Sequence, residues 1–349
     1  MQYTGGLTPR VQSSPGKRGG IGIVATEGHL VKLLPRVVRQ LRLEPVKRRG
    51  RPYVYSWPVI LACFVVMVNY RLTGFRSLHR FLKNHSGIAQ ACGLPGDQFP
   101  SDRTFSRRFE KLDGILLQAT AQLLRRLASR KILRWTLTVI DGTALVALGR
   151  RPKGQGVDPR TRDKEAAWGF STTKGWFWGY KLHVLVAVKK TILPVAWVIT
   201  QAHRQEITQL IRVVRQAIAY LGRRRRRRIR DVAGDMGYDS ADHYLHLAQW
   251  MIRLTTRINR RRGYPLNRLQ RKRKRYLRTP RGRWLMKRRS DVERFFSQPK
   301  GIFLFDPLPV VGYRKVTTYV SLVLVSYLIG VAYNGLVHRP LRALKSLVA

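Results

Sequence analysis

"YKLHVLVAVKKTILPVAWVITQA", residues 180–202, reads as two β-rich runs separated by a short turn around Lys190-Thr191. Working outward, "TLTVID" (136–141) is a third run of the same texture, ending in Asp141. Downstream, "ITQLIRVVRQAIAYL" (207–221) is helical and "IRDVAGD" (229–235) is a weaker strand ending at Asp235. "SADHYLHLAQW" (240–250) is helical with Ser240 as its cap, and "MIRLTTRI" (251–258) is a further strand. A basic connector, a helix around Glu293 and an apolar C-terminal helix complete the chain. Strands first, then alternating helices and strands, describe a mixed α/β domain.

Ahead of this domain, from Tyr53 to about Lys131, the periodicity is helical. The clearest segment is "PSDRTFSRRFEKLDGIL" (100–116), where Ser101 or Asp102 caps the start. On a helix Phe105, Phe109 and Leu112 share one side, and Arg103, Arg107 and Lys111 the other. A dry face docked on a bundle with an arginine-rich wet face suits a DNA groove, and equally an ordinary surface helix in a basic protein. The organisation expected is a flexible basic segment (1–50), a helical DNA-binding domain (51–133), an α/β catalytic domain (134–337) with a basic connector (257–289), and a basic tail (338–349). Within 1–50, a short basic helix is expected over His29–Leu43.

The chain has 349 residues, 44% of them hydrophobic, with 68 Lys+Arg against 18 Asp+Glu, for a formal charge of +50. Such a charge calls for a polyanion, and nucleic acid is the first candidate; an anionic membrane surface is the rival. The run Arg223–Arg228 fits phosphate contact or a solvated loop, and in the connector 257–289 the interleaved Tyr264, Tyr276 and Trp284 could stack on bases or simply anchor the loop. Cys63 and Cys92 form no disulfide framework and fit a reducing cytoplasm. Residues 1–20 lack the apolar core of a signal peptide. Tyr53–Tyr70 and Val316–Val337 are uncharged and reach the ~18 residues a membrane span needs. The polar residues inside them (Asn69, Thr317, Thr318, Ser321, Ser326 and Asn334) favour buried core helices.

Where acids are this scarce, each needs a reason. No acid lies between Asp242 and Asp291. Asp141 and Asp235 each follow a β-like run and precede a turn, the position at which α/β sheets present ligand-binding groups. Asp231 and Asp239 are rivals to Asp235. Two such carboxylates with a third from a helix suit a divalent cation, Mg²⁺ or Mn²⁺. Paired ions ~3.5–4 Å apart stabilise both oxygens of an in-line displacement at phosphorus. Glu293 is the helical candidate: Arg289 lies ~40° from it and Lys300 ~20° from Arg289 on a common face. Val292 and Phe295 turn to the neighbouring face, towards a core. Read alone, Arg289–Glu293 is a surface ion pair worth under ~1 kcal/mol.

Arg289-x3-Glu293-x6-Lys300 resembles the Tyr-x2-Arg-x3-Glu-x6-Lys signature of insertion-sequence DDE transposases. Asp141-Gly142-Thr143 is similar to that family's first aspartate, Gly234 to Ser240 to its second, and Gly179 to His183 to the opening of its second strand. The resemblance spans roughly residues 51–337 and includes the Ser-x-Arg-Thr-Phe type segment. It implies an RNase H-like fold with Asp141, Asp235 and Glu293 as catalytic ligands of two Mg²⁺ ions, Mn²⁺ substituting. It implies Arg289 and Lys300 on DNA phosphates. The partners implied are double-stranded transposon ends with their terminal inverted repeats, and target DNA, met by a homodimer on the nucleoid of a prokaryotic cytoplasm, with no membrane. The reaction implied is strand cleavage followed by strand transfer, of the cut-and-paste kind; the alternative is an inactive DNA-binding relic. Two departures stand out: Met286 replaces the signature tyrosine, and Pro299 should kink or end the helix before Lys300.

Overall fold

The computed structural model describes residues 28–44, 53–152, 161–221, 229–259 and 265–347. Most of the N-terminal segment, the linker to Pro52, the run Arg223–Arg228 and Tyr264 lie outside them. Helical backbone covers 28–38 of the expected basic helix, the last five residues, Leu34–Val38, as a π-helical turn. Helices α1 (Trp57–Asn69), α2 (Phe75–Asn84), α3 (Ser86–Cys92), α4 (Asp102–Phe109) and α5 (Asp113–Ser129) follow. Next come strands β1 (Leu137–Val146), β2 (Ala167–Ser171), β3 (Gly175–Ala187) and β4 (Leu193–Gln201), then helix α6 (Leu210–Leu221). Strand β5 (Asp231–Gly234), helix α7 (Ala241–Gln249) and strand β6 (Arg253–Thr256) complete the alternation. Helices α8 (Arg268–Arg278), α9 (Pro280–Arg288), α10 (Asp291–Ile302) and α11 (Tyr313–Leu336) end the chain.

The sheet order is β2-β3-β1-β5-β6, with β4 also paired to β3. Strand β3 pairs antiparallel with β1, β2 and β4, with Val146 opposite Gly179 and Tyr180 opposite Gln201. Strands β5 and β6 add in parallel, Leu137 facing Asp231 and Asp231 facing Arg253. The connection that makes the parallel step is α6, as a parallel pair requires. This is an RNase H-like mixed sheet flanked by helices.

Two features escaped the sequence reading. Strand β2, with Trp168 opposite Trp178, pairs with an early extension of β3 that reaches back to Gly175. Trp178 anchors this hairpin by donating its indole N–H to the Asp163 carbonyl, whereas Trp176 is 67% exposed. The basic connector, in turn, contains two helices, α8 and α9. Asn267 caps α8 through a reciprocal pair of bonds with Gln270, and Thr279 caps α9 with Pro280 at its first position.

One large apolar core runs from α1 through the sheet to α11, and a small separate cluster joins Ala144, Phe177 and Ala202. Helix α11 is long and apolar enough to cross a membrane, yet 83% of its most apolar window is buried inside the protein. It packs against α5, α1 and β4, which gives its uncharged surface the partners that lipid would otherwise provide. Cys63 and Cys92 are free and buried in the same core.

Candidate active site

Parallel register brings the two aspartates level. Val139 faces Ala233, so Asp141 and Asp235 each lie two residues beyond the same rung. Strand β1 does not end at Asp141 as its sequence suggested, because β3 supplies ladder partners as far as Val146. Only the parallel neighbour stops, at Gly234. The sheet edge is therefore stepped, with Asp141 on the ledge and Asp235 exposed beside it, leading the short turn Met236–Tyr238.

Burial pushes the Asp141 carboxyl up to about 7. The Gly142 amide, donating to its Oδ1 at 2.8 Å, and the Arg289 guanidinium oppose this; the carboxylates of Glu206 and Asp235 reinforce it. The rivals of Asp235 are otherwise engaged. The Asp231 carboxylate is buried, 2.6 Å from Arg281 and 3.8 Å from Arg253. Asp239 is clamped by Arg273 and accepts the Asn259 amide at 2.6 Å. Among the described residues the Asp235 side chain has no ion pair and no hydrogen bond.

Glu293 stands in the first turn of α10, 61% of its side chain exposed and 3.5 Å from Arg289. Arg289 occupies the junction between α9 and α10, and its α-helical dihedrals preserve the four-residue relation to Glu293. Its charge acts on Asp141 as well, so one guanidinium links the helix acid to the ledge. Helix α10 does not end at Pro299 but continues to Ile302. Val292, Phe295, Phe296, Pro299 and Ile302 are all buried, and that packing holds the turn in which the proline ring removes a hydrogen bond. Lys300 consequently reaches β1, where its Nζ donates to Thr143 Oγ1 at 2.7 Å. Thr143 shares the face of Asp141. Burial, with Lys174 nearby, lowers the Lys300 pKa, and Asp306 opposes the shift.

Glu206 was missed. It lies just before the short turn Ile207–Gln209 that leads into α6, and its Oε1 is 3.4 Å from Lys181 Nζ. The available signal was its isolation: no other acid occurs between Glu165 and Asp231. Among the described residues no three Asp, Glu, His or Cys side chains are already grouped around a single ion position. The donor chemistry nevertheless fits a hard divalent cation. The ledge presents carboxylate oxygens, one of them on an acid whose proton is held by burial and by neighbouring negative charge.

Away from the ledge, α4 presents Arg103 and Arg107 to solvent and buries Phe105 and Phe109; the helix stops at Phe109, so Lys111 (exposed) and Leu112 (buried) lie in the turn between α4 and α5 rather than on the one continuous helix expected. Ser101 caps α4 by accepting the Thr104 amide at 3.2 Å. Its third cation, Arg108, is buried against the rings of Tyr53 and Trp57.

A sheet of this order with carboxylates on its stepped edge defines the class: an RNase H-like domain. A family model, the transposase DDE domain, matches residues 136–329, more than half of the chain, and the protein belongs to that family. No curated protein matches the chain. DNA is the partner this family implies, and its members generally depend on a divalent metal.

Proposed function

We propose that the protein binds the terminal inverted repeats of a transposon, cleaves at their ends and transfers the strand to target DNA. The single observation that carries this reading is the level pair Asp141 and Asp235, neither neutralised by its own arginine in a chain of charge +50. Asp141, Asp235 and Glu293 would hold Mg²⁺ or Mn²⁺, two ions in the full site. When bound, the metal supplies Lewis acidity at the scissile phosphate and lowers the pKa of attacking water.

The protein's own groups supply the rest. Lys300, held over β1 by Thr143, places a cation beside the ledge for a non-bridging phosphate oxygen. Arg289, 3.5 Å from Glu293, can exchange that carboxylate for a phosphate. Arg103, Arg107 and Lys111 offer an exposed cationic face for the DNA backbone. A homodimer would present two such sites to the paired transposon ends, in the prokaryotic cytoplasm.

The test is cleavage of a labelled terminal-repeat duplex in Mg²⁺. Asp141→Asn, Asp235→Asn and Glu293→Gln should each lower cleavage and strand transfer at least about a hundredfold while leaving DNA affinity within about twofold. Full strand transfer by any one of them would reject its assignment. A wild-type protein that binds DNA but never nicks it would be the relic.

A further inference from the structure

We infer that Glu206 is a further carboxylate of the metal site, making it a four-acid rather than a three-acid centre. The inference rests on the reading that Asp141 and Asp235 hold the cation. It starts from two glycines. A Cβ built on Gly142 would lie 3.3 Å from both the Glu206 carboxyl carbon and Oε1. One built on Gly237 would lie 3.9 Å from Oε2. The two oxygens of Glu206 therefore face the two segments that carry Asp141 and Asp235, through gaps that any side chain would narrow.

A second group opens into the same gap. His183 pairs with Gly142 across the β1–β3 ladder and is wholly buried. Its Nε2 bonds Thr200 Oγ1 at 2.9 Å. Its Nδ1 lies 3.4 Å from the Gly142 Cβ position and has no protein partner. A buried ring nitrogen without a protein partner is one that a water or a ligand entering the gap would satisfy. Burial, with Lys181 nearby, pulls the His183 pKa down to about 4, so the ring is neutral and brings no competing charge.

The simpler reading is that Glu206 serves only Lys181. That contact is long, at 3.4 Å, and a third of the Glu206 side chain is exposed. It is also made through Oε1 alone, which leaves Oε2 outside the pair. The Glu206 carboxylate, moreover, acts on Asp141 and Tyr238 alike, which places it electrically on the ledge.

The experiment is a Mn²⁺ titration of the full chain without DNA, followed by calorimetry and by the electron paramagnetic resonance of free Mn²⁺. Glu206→Gln should weaken Mn²⁺ binding at least tenfold, with an unchanged thermal midpoint in chelator. Lys181→Gln, which removes the competing cation, should tighten it severalfold. Wild-type affinity in Glu206→Gln, with loss in Asp141→Asn and Asp235→Asn, overturns the fourth carboxylate and leaves the three-acid reading intact. Unchanged or weaker binding in Lys181→Gln also overturns it, even if Glu206→Gln does not fold. No Mn²⁺ binding by the wild type, or undiminished binding by both aspartate variants, overturns the two together.

Discussion

Asp231 and Asp239 lie four residues to either side of Asp235, and all three acids belong to strand β5 and the short turn that follows it. The outer two are buried and matched by arginines of the helical connector, Arg281 of α9 and Arg273 of α8. The central one is exposed, level with Asp141, and has no arginine of its own. The contrast separates structural acids from chemical ones. With 68 cations available, an acid whose side chain is buried against a close arginine is held by the fold, unlike the exposed Glu293 beside Arg289. One left beside other carboxylates creates local negative potential, which a divalent ion relieves.

The comparison breaks first at Arg273. Its guanidinium lies over the Tyr244 ring at 3.4 Å, donates to Thr256 at 3.1 Å and pairs with Asp239. Arg273→Met strands a buried carboxylate and should cost about 3–5 kcal/mol in denaturant unfolding. A loss below about 1 kcal/mol would show the pair to be dispensable. Arg281→Met should cost less, because Arg281 is half exposed and Arg253 also reaches Asp231.

The sign reverses on the ledge. Asp141→Asn removes a buried carboxyl that burial and two neighbouring carboxylates disfavour as an anion. In metal-free buffer at pH 8 it should stabilise the fold by about 1–2 kcal/mol. The same measurement on Asp239→Asn should show destabilisation. Two changes of equal sign would erase the distinction between the two kinds of acid.

The arginines sharpen it further. Arg103, Arg107 and Lys111 have no ion pair among the described residues. Replacing all three with Gln should leave stability within about 0.5 kcal/mol. It should also flatten the slope of log affinity for duplex DNA against log salt by about 2.7, near 0.9 per lost phosphate contact. An unchanged slope would leave α4 as an ordinary surface helix.

The strands around residues 180–202 were legible because their β-rich texture and turn are local properties. So were the dry face of α4 and the register of Arg289 with Glu293, since helical spacing is a chain property. Strand β2 was less legible: its short aromatic run shows its partner only once Trp168 lies opposite Trp178. The helices α8 and α9 were hidden by their charge. Of α8 no residue is buried, so no apolar stripe announced it.

Composition and local pattern alone established a basic α/β protein, its candidate acids and the helix that carries Glu293. Which acids meet was a matter for the tertiary structure. Asp141 and Asp235 become neighbours only through the parallel pairing of β1 with β5. Glu206 approaches Asp141 where Gly142, lacking a side chain, leaves room for its carboxyl. Spacing along a chain governs a helix face, but distance across a sheet depends on register, and register is settled by the packing of the whole core.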